Sequence, residues 1–193
     1  MIRNATIHDV PKISDIINSH AELGKMLFKS YAQLFEGLRD FAVCELPTAR
    51  GNGTGLTPCG GDSPVVGCVA LTIVWADLAE VRSLAVDDSC RGNGIGSRLT
   101  EWCVGEARRL HIRKLFALTY EQRFFERLGF EVVNKESLPL KVWSDCVRCP
   151  KNANCDEIAM VLTHHDIPEP KLPHATPTPR GVSIPVLPYF EED

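Results

Sequence analysis

The stretch CRGNGIGSRL (90–99) sets three glycines and two arginines where an apolar strand pattern, VRSLAV, gives way to a helical one. A strand, then Arg91-x-x-Gly94-x-Gly96, then a helix is an arrangement suited to anions. Glycine lets the backbone come close to a ligand, successive amides point at its oxygens, and the helix dipole adds positive potential at the same point. A dinucleotide fingerprint beginning at Gly92 would need a third glycine at the position of Ser97, and a Walker A loop would need a Gly-Lys-Ser/Thr ending that is absent. Taken alone, the turn is either a cradle for another phosphate-bearing ligand or a glycine turn with no ligand.

A second group is Cys146, Cys149 and Cys155, spaced Cys-x2-Cys-x5-Cys in a polar loop (146–155). Three thiolates hold a structural zinc ion if a fourth ligand arrives, for which His164 and His165 are the candidates. Reduced loop cysteines, or a disulfide, are the plainer alternatives. Cys44, Cys68 and Cys103 fall inside strand or helix patterns, where a thiol serves as a small hydrophobe. Cys90, beside the glycine turn, is placed for a lowered thiol pKa.

The elements that must position these groups follow from periodicity and turn chemistry. Residues 1–5 suit a short strand. Asp9 is placed to cap a helix that opens with Val10 and Pro11 and buries Val10, Ile13, Ile16, Ile17 and Ala21 before Gly24 ends it. Ser30 caps a second helix, with Tyr31, Leu34, Phe35 and Leu38 turned inward. Strands are expected at 41–45, 65–75 and 78–87, the last two joined as a hairpin across Ala76–Asp77. From Gly94 a helix keeps Ile95, Leu99, Trp102, Cys103, Ala107 and Leu110 on one face. KLFALT (114–119) is a buried strand, EQRFFERL a short helix stopped by Gly129, and FEVV and EIAMVLT (157–163) the closing strands. The glycine- and proline-rich segment 47–64 reads as a mobile loop, and the proline-rich end (166–193) as an extended tail after a domain spanning 1–165.

Bulk properties bound the function. The 193 residues suit one domain, and 44% hydrophobic with 24% charged residues argues for a packed core rather than disorder. A net charge of -4 and a pI near 5.9 exclude a general electrostatic pull toward nucleic acid or membrane. The opening residues lack a secretory pattern and no apolar run has spanning length, so a cytoplasmic protein is expected. Association with further copies of itself is left open.

VRSLAVDDSCRGNGIGSRL resembles the acetyl-CoA motif of the GNAT family of N-acetyltransferases, in which a strand of the Leu-Ala-Val type precedes Arg/Gln-x-x-Gly-x-Gly/Ala at a helix start. The order β-α-α-β-β-β-α-β-α-β-β and FFERLGFE near its end resemble the same family. The resemblance implies an α/β GNAT fold: a mixed central sheet whose fourth and fifth strands splay apart, with flanking helices. It implies acetyl-CoA as co-substrate, held by Leu84, Ala85 and Val86 on the strand and by Arg91, Gly92, Asn93, Gly94, Ile95, Gly96 and Ser97 around its pyrophosphate.

Longer stretches, among them RNATIHDVPKISDIINSHAELGKMLFKSYAQLFEGLRDFAV and SLPLKVWSDCVRCPKNANCDEIAMVL, resemble the acetyltransferase domain of N-acetylglutamate synthases, here without their amino-acid-kinase-like domain. The implied reaction moves acetyl to the α-amine of L-glutamate, the first step of arginine biosynthesis. Glu80 is the candidate base for the protonated amine, the Ala85–Val86 amides candidate oxyanion donors, and Tyr120 the candidate proton donor to the departing thiolate. Phe125 stands where many relatives carry a tyrosine. Arg82, which shares a strand face with Glu80, and Lys29, where relatives commonly carry arginine, are the candidate partners of the substrate carboxylates. Each also has a bland reading: Glu80 a strand-end charge, Tyr120 a packed aromatic, the cations a solvated surface. The alternatives in function are another acceptor (a different amino acid, a polyamine or a protein N-terminus) or a non-catalytic acetyl-CoA or metal sensor.

Overall fold

A computed structural model describes residues 1–46, 64–138 and 155–170. The elements run β1 (Ile2–Asn4), α1 (Val10–Glu22), α2 (Tyr31–Glu36), β2 (Phe41–Glu45), β3 (Val65–Trp75), β4 (Leu78–Val86), α3 (Ile95–Arg109), β5 (Lys114–Thr119), α4 (Gln122–Glu126), β6 (Glu131–Val133) and β7 (Ile158–Thr163). This is the order read from the sequence. The seven strands form one sheet, β1-β2-β3-β4-β5-β7-β6, in which only the β4–β5 pair is parallel.

The sheet lies between two helical layers. On one face Val10, Ile13, Ile16 and Ile17 of α1 and Leu34 of α2 bury against Cys68, Ala70 and Ala85. On the other, Ile95, Leu99, Cys103 and Ala107 of α3, with Phe125 and Phe130, bury against Val66, Val69, Leu71, Ala79 and Val81. Cys44, Cys68 and Cys103 are free and fully buried, and burial pushes the Cys68 thiol up to about 12. They act as small hydrophobes, as their places in the pattern implied.

Parallel pairing joins Leu78–Glu80 only to Lys114–Phe116. β4 then runs on to Val86 along β3, and β5 to Thr119 along β7, so the facing edges of the two strands lie open beyond that point. The splay expected from the sequence is therefore present. α3 packs close beside it because β3 carries Gly67 there. A Cβ on Gly67 would meet the Ala85 carbonyl oxygen and Leu99 Cδ1 at 3.1 Å and Ile95 Cγ2 at 3.2 Å.

Some expectations need correction. Asp9 occupies the N-cap position of α1 but makes no side-chain cap bond to that helix. Its carboxylate is taken instead by Arg3, at 2.7 and 2.8 Å, and by the Thr6 amide, at 2.7 Å. Arg3 also binds Glu45, so one guanidinium ties β1, β2 and the start of α1. Of the residues assigned inward on α2, Leu34 is buried, whereas Tyr31 and Phe35 are exposed, because a helix of six residues presents little more than one turn to the core. Leu110 closes α3 on the surface.

Two outcomes are expected. Gly67→Ala destabilises by about 1–3 kcal/mol in urea unfolding, since one of the crowding atoms is backbone and cannot swing away. The Arg3 guanidinium lowers the Asp9 carboxyl from 3.8 to about 2. With the folded-state pKa below the unfolded one, the bond's stabilisation is complete above pH 4 and is lost as pH falls through about 2. Wild type should exceed Asp9→Asn by about 2 kcal/mol at neutral pH, the gap narrowing in unfolding curves taken toward pH 2.

Candidate active site

β4 organises the site through a bulge. Cys68 pairs with Ala85 and Ala70 with Arg82, so β4 spends two residues, Ser83 and Leu84, opposite the single Val69. Ser83 takes a left-handed backbone, φ 51°, to absorb the extra residue. Before the bulge Ala79 and Val81 join the α3 layer, which sets Glu80 and Arg82 on the α1–α2 side; after it Ala85 joins the α1 layer and Leu84 and Val86 pack toward α3. The bulge thus exchanges the faces of alternate residues midway along the strand.

On the α1–α2 side a cavity of about 320 Å³ opens between α2 and the sheet. Its lining includes Lys29, Glu36 and Asp40 from the helical side and Thr72, Arg82 and Ser83 from β3 and β4. Two candidate residues far apart in sequence, Lys29 and Arg82, therefore share one pocket. Glu80 sits beside them, its carboxylate 3.2 Å from Arg82 Nε. Thr72 donates to Asp40 at 3.1 Å across the pocket floor. Glu36, Asp40, Thr72 and Ser83 were not singled out from sequence, since nothing local distinguishes them from ordinary surface polar residues.

Lys29 owes its place to Asn18 of α1. The Asn18 amide accepts from the Lys29 backbone N–H at 3.0 Å and donates to the Lys29 carbonyl at 3.1 Å, and it donates further to Ser14 Oγ at 3.1 Å. A side-chain amide here does what a neighbouring strand would do, pinning an irregular connection to a rigid helix.

The glycine turn lies at the end of β4. Asp87 opens it, accepting from the Ser89 amide at 3.1 Å and from Lys12 of α1 at 3.1 Å. Asn93 donates to the Cys90 carbonyl at 3.1 Å. Gly94 is the N-cap of α3 with φ 71°, a conformation strained for any residue with a Cβ, and a Cβ there would meet no atom of the described residues within 4 Å. A fifteen-residue helix thus begins on glycine backbone at the end of β4. Cys90, at the base of the turn, is fully buried and disulfide-bonded, so the activated thiol suggested by its position is not present.

Tyr120 follows β5 at the mouth of the splay and is 38% exposed. It is not among the residues lining the pocket that holds Arg82. Phe125 is buried, edge-on to Phe124 and to Phe130 at 5.1 Å centroid separations. Of the cysteine cluster, Cys146 and Cys149 lie outside the described residues. Cys155 is a free thiol, 3.6 Å from Lys135 Nζ. His164 is buried, and burial pushes its pKa below the ordinary imidazole value. Among the described residues no group of three or more His, Cys, Asp or Glu side chains is placed to hold a metal ion, and no helix is long and apolar enough to cross a membrane.

A splayed parallel pair, a strand bulge and a glycine turn at a helix start form the α/β scaffold that the acetyl-CoA resemblance implies, and comparison with known proteins agrees. Residues 25–130 match the model of the acetyltransferase (GNAT) family. The chain is 37% identical over 162 residues to an uncharacterized N-acetyltransferase of Chlorobaculum tepidum, covering 84% of this chain and 95% of the relative. It is 34% identical over 149 residues to an amino-acid acetyltransferase of Mycobacterium tuberculosis, covering 77% and 78% respectively. Among solved structures, N-acetylglutamate synthase from Neisseria gonorrhoeae, complexed with coenzyme A and N-acetyl-glutamate, superposes with a TM-score of 0.70 at 27% identity, over 86% of this chain and 35% of that one. The chain belongs to the GNAT family of acetyltransferases.

The Asn18 clamp is open to direct test. Asn18→Ala should lower amide hydrogen-exchange protection at Lys29 by about tenfold, while the amides of β3 and β4 keep theirs.

Proposed function

We propose that the chain transfers acetyl from acetyl-CoA to the α-amine of L-glutamate. The observation that carries this reading is the pairing of Lys29 and Arg82 in one pocket beside Glu80. A dicarboxylic amino acid brings two anionic groups and an amine; the pocket lining offers two cations, Lys29 and Arg82, and the Glu80 carboxylate adjoins it through Arg82. Acetyl-CoA enters along the open edge of β4, its pyrophosphate on the amides of Arg91–Ser97 and its pantetheine arm between β4 and β5 beside Leu84, Ala85 and Val86.

Glu80 accepts a proton from the α-ammonium, directly or through one water, so that the amine attacks the thioester carbon. The amides of Ala85 and Val86 stabilise the oxyanion that forms, and collapse of the intermediate breaks the C–S bond. Tyr120 protonates the departing thiolate, and the second ammonium proton, lost from the attacking nitrogen, restores the tyrosine through water; buried Phe125 has no proton to give. Arg82 holds Glu80 through Nε and lines the pocket, where its guanidinium would meet a substrate carboxylate. The product, N-acetylglutamate, begins arginine biosynthesis in the resembling enzymes, and the same place is proposed for this one.

One observation favours a second acceptor class. Glu36 and Asp40 line the same pocket and would suit a cationic amine such as a polyamine.

Thiol release from acetyl-CoA, followed with a panel of amino acids and polyamines and with mass spectrometry of the product, separates the two. Turnover should favour glutamate. Arg82→Met should raise the KM for glutamate about tenfold or more with the KM for acetyl-CoA little changed, and Glu80→Gln should lower kcat by about 10²–10³-fold. Preference for a polyamine would assign the pocket to a cationic acceptor and overturn the glutamate reading.

A further inference from the structure

α1 carries a histidine in the stripe that otherwise buries Val10, Ile13, Ile16 and Ile17. His20 is 5% exposed, at a position where leucine would fill the space without taking a polar ring out of water. Both ring nitrogens are engaged. Nε2 lies 2.9 Å from the Val86 carbonyl oxygen, and Nδ1 lies 3.2 Å from a terminal nitrogen of Arg91. The partners assign the proton. A guanidinium only donates, so Nδ1 accepts; a carbonyl only accepts, so Nε2 carries the hydrogen. His20 is a neutral bridge from the last residue of β4 to the first arginine of the glycine turn.

A second tether holds Arg91, from Nε to Asp88 at 2.7 Å, but both of those side chains are at least half exposed. Exposed ion pairs hold an arginine weakly. The contact to His20 is part-buried, and its imidazole is held in place on the other side by the Val86 carbonyl. An uncharged imidazole also orients the guanidinium without cancelling its charge, which a carboxylate in the same place would do.

Resting on the reading of residues 91–97 as the pyrophosphate turn, we propose that His20 is a positioning residue for coenzyme A. Braced by its bond to the Val86 carbonyl, it fixes the Arg91 side chain in the arrangement that receives the co-substrate, and it touches none of the reacting atoms. The sequence of α1 offers no hint of this, because the two partners lie 66 and 71 positions away.

Calorimetric binding of coenzyme A and steady-state kinetics, on the full chain, test it with Arg91→Ala, His20→Leu, His20→Asn and the His20→Leu/Arg91→Ala double variant. Removing His20 as leucine should weaken coenzyme A binding about tenfold and leave kcat within about threefold of wild type. Asparagine keeps an acceptor near the Nδ1 position and should recover most of the affinity. The double variant should bind no more weakly than Arg91→Ala alone, since both changes act through one guanidinium. If His20→Leu does not fold, His20→Gln, which keeps a donor for Val86 but loses the acceptor for Arg91, takes its place. Unchanged affinity in the His20 variants, or losses that add to that of Arg91→Ala, would overturn the positioning role while the pyrophosphate reading stands. Absence of coenzyme A binding by the wild-type chain would overturn both.

Discussion

Everything at this site depends on two parallel strands that part company. β4 and β5 are paired only over Leu78–Glu80 and Lys114–Phe116, after which, among the described residues, each is paired on its outer side alone. An open strand edge inside a sheet is costly to leave bare, because its amides and carbonyls still need partners. A ligand with amide groups of its own can supply them. The opening survives folding because the other edges are well paired, β4 along β3 and β5 along the whole of β7, and because each face is covered by a separate apolar layer.

The bulge at Ser83 and Leu84 converts this opening into a site with two sides. Uniform alternation would send Glu80, Arg82, Leu84 and Val86 to the same face. With one extra residue in β4, Glu80 and Arg82 face the α1–α2 side, where Arg82 lines the pocket, while Leu84 and Val86 pack toward α3. One strand thereby lines the pocket beside α2 with its first half and leads into the glycine turn with its end. The left-handed backbone at Ser83 is the local cost of that exchange.

α1 frames both halves. Its apolar stripe anchors it to β3 and β4, and its polar residues reach from that anchor to the irregular segments. Lys12 reaches Asp87 at the opening of the turn, Asn18 the backbone of Lys29, and His20 Val86 and Arg91. Irregular backbone holds a defined shape only when something rigid fixes it, and a buried helix is the stiffest support available.

The elements, their order and the left-handed start of α3 at Gly94 were legible in the sequence, because these rest on local rules. Periods of 2 and 3.6 residues mark strands and helices, Ser30 and Gly94 mark helix starts, and Gly94 is where a left-handed turn is needed. The pairing of Glu80 with Arg82 was legible too, since two-residue alternation holds up to the bulge. Tertiary structure decided what depends on contacts across the chain. The bulge is set by pairing with β3, Gly67 matters through the approach of α3, and Asp9 answers to Arg3 rather than to its own helix. Tyr31 and Phe35 fit an inward pattern that a six-residue helix is too short to bury. His20 reads as one polar residue in an apolar stripe until β4 and the glycine turn are folded against it. A hydrogen bond between residues 71 positions apart leaves no periodic trace in either segment.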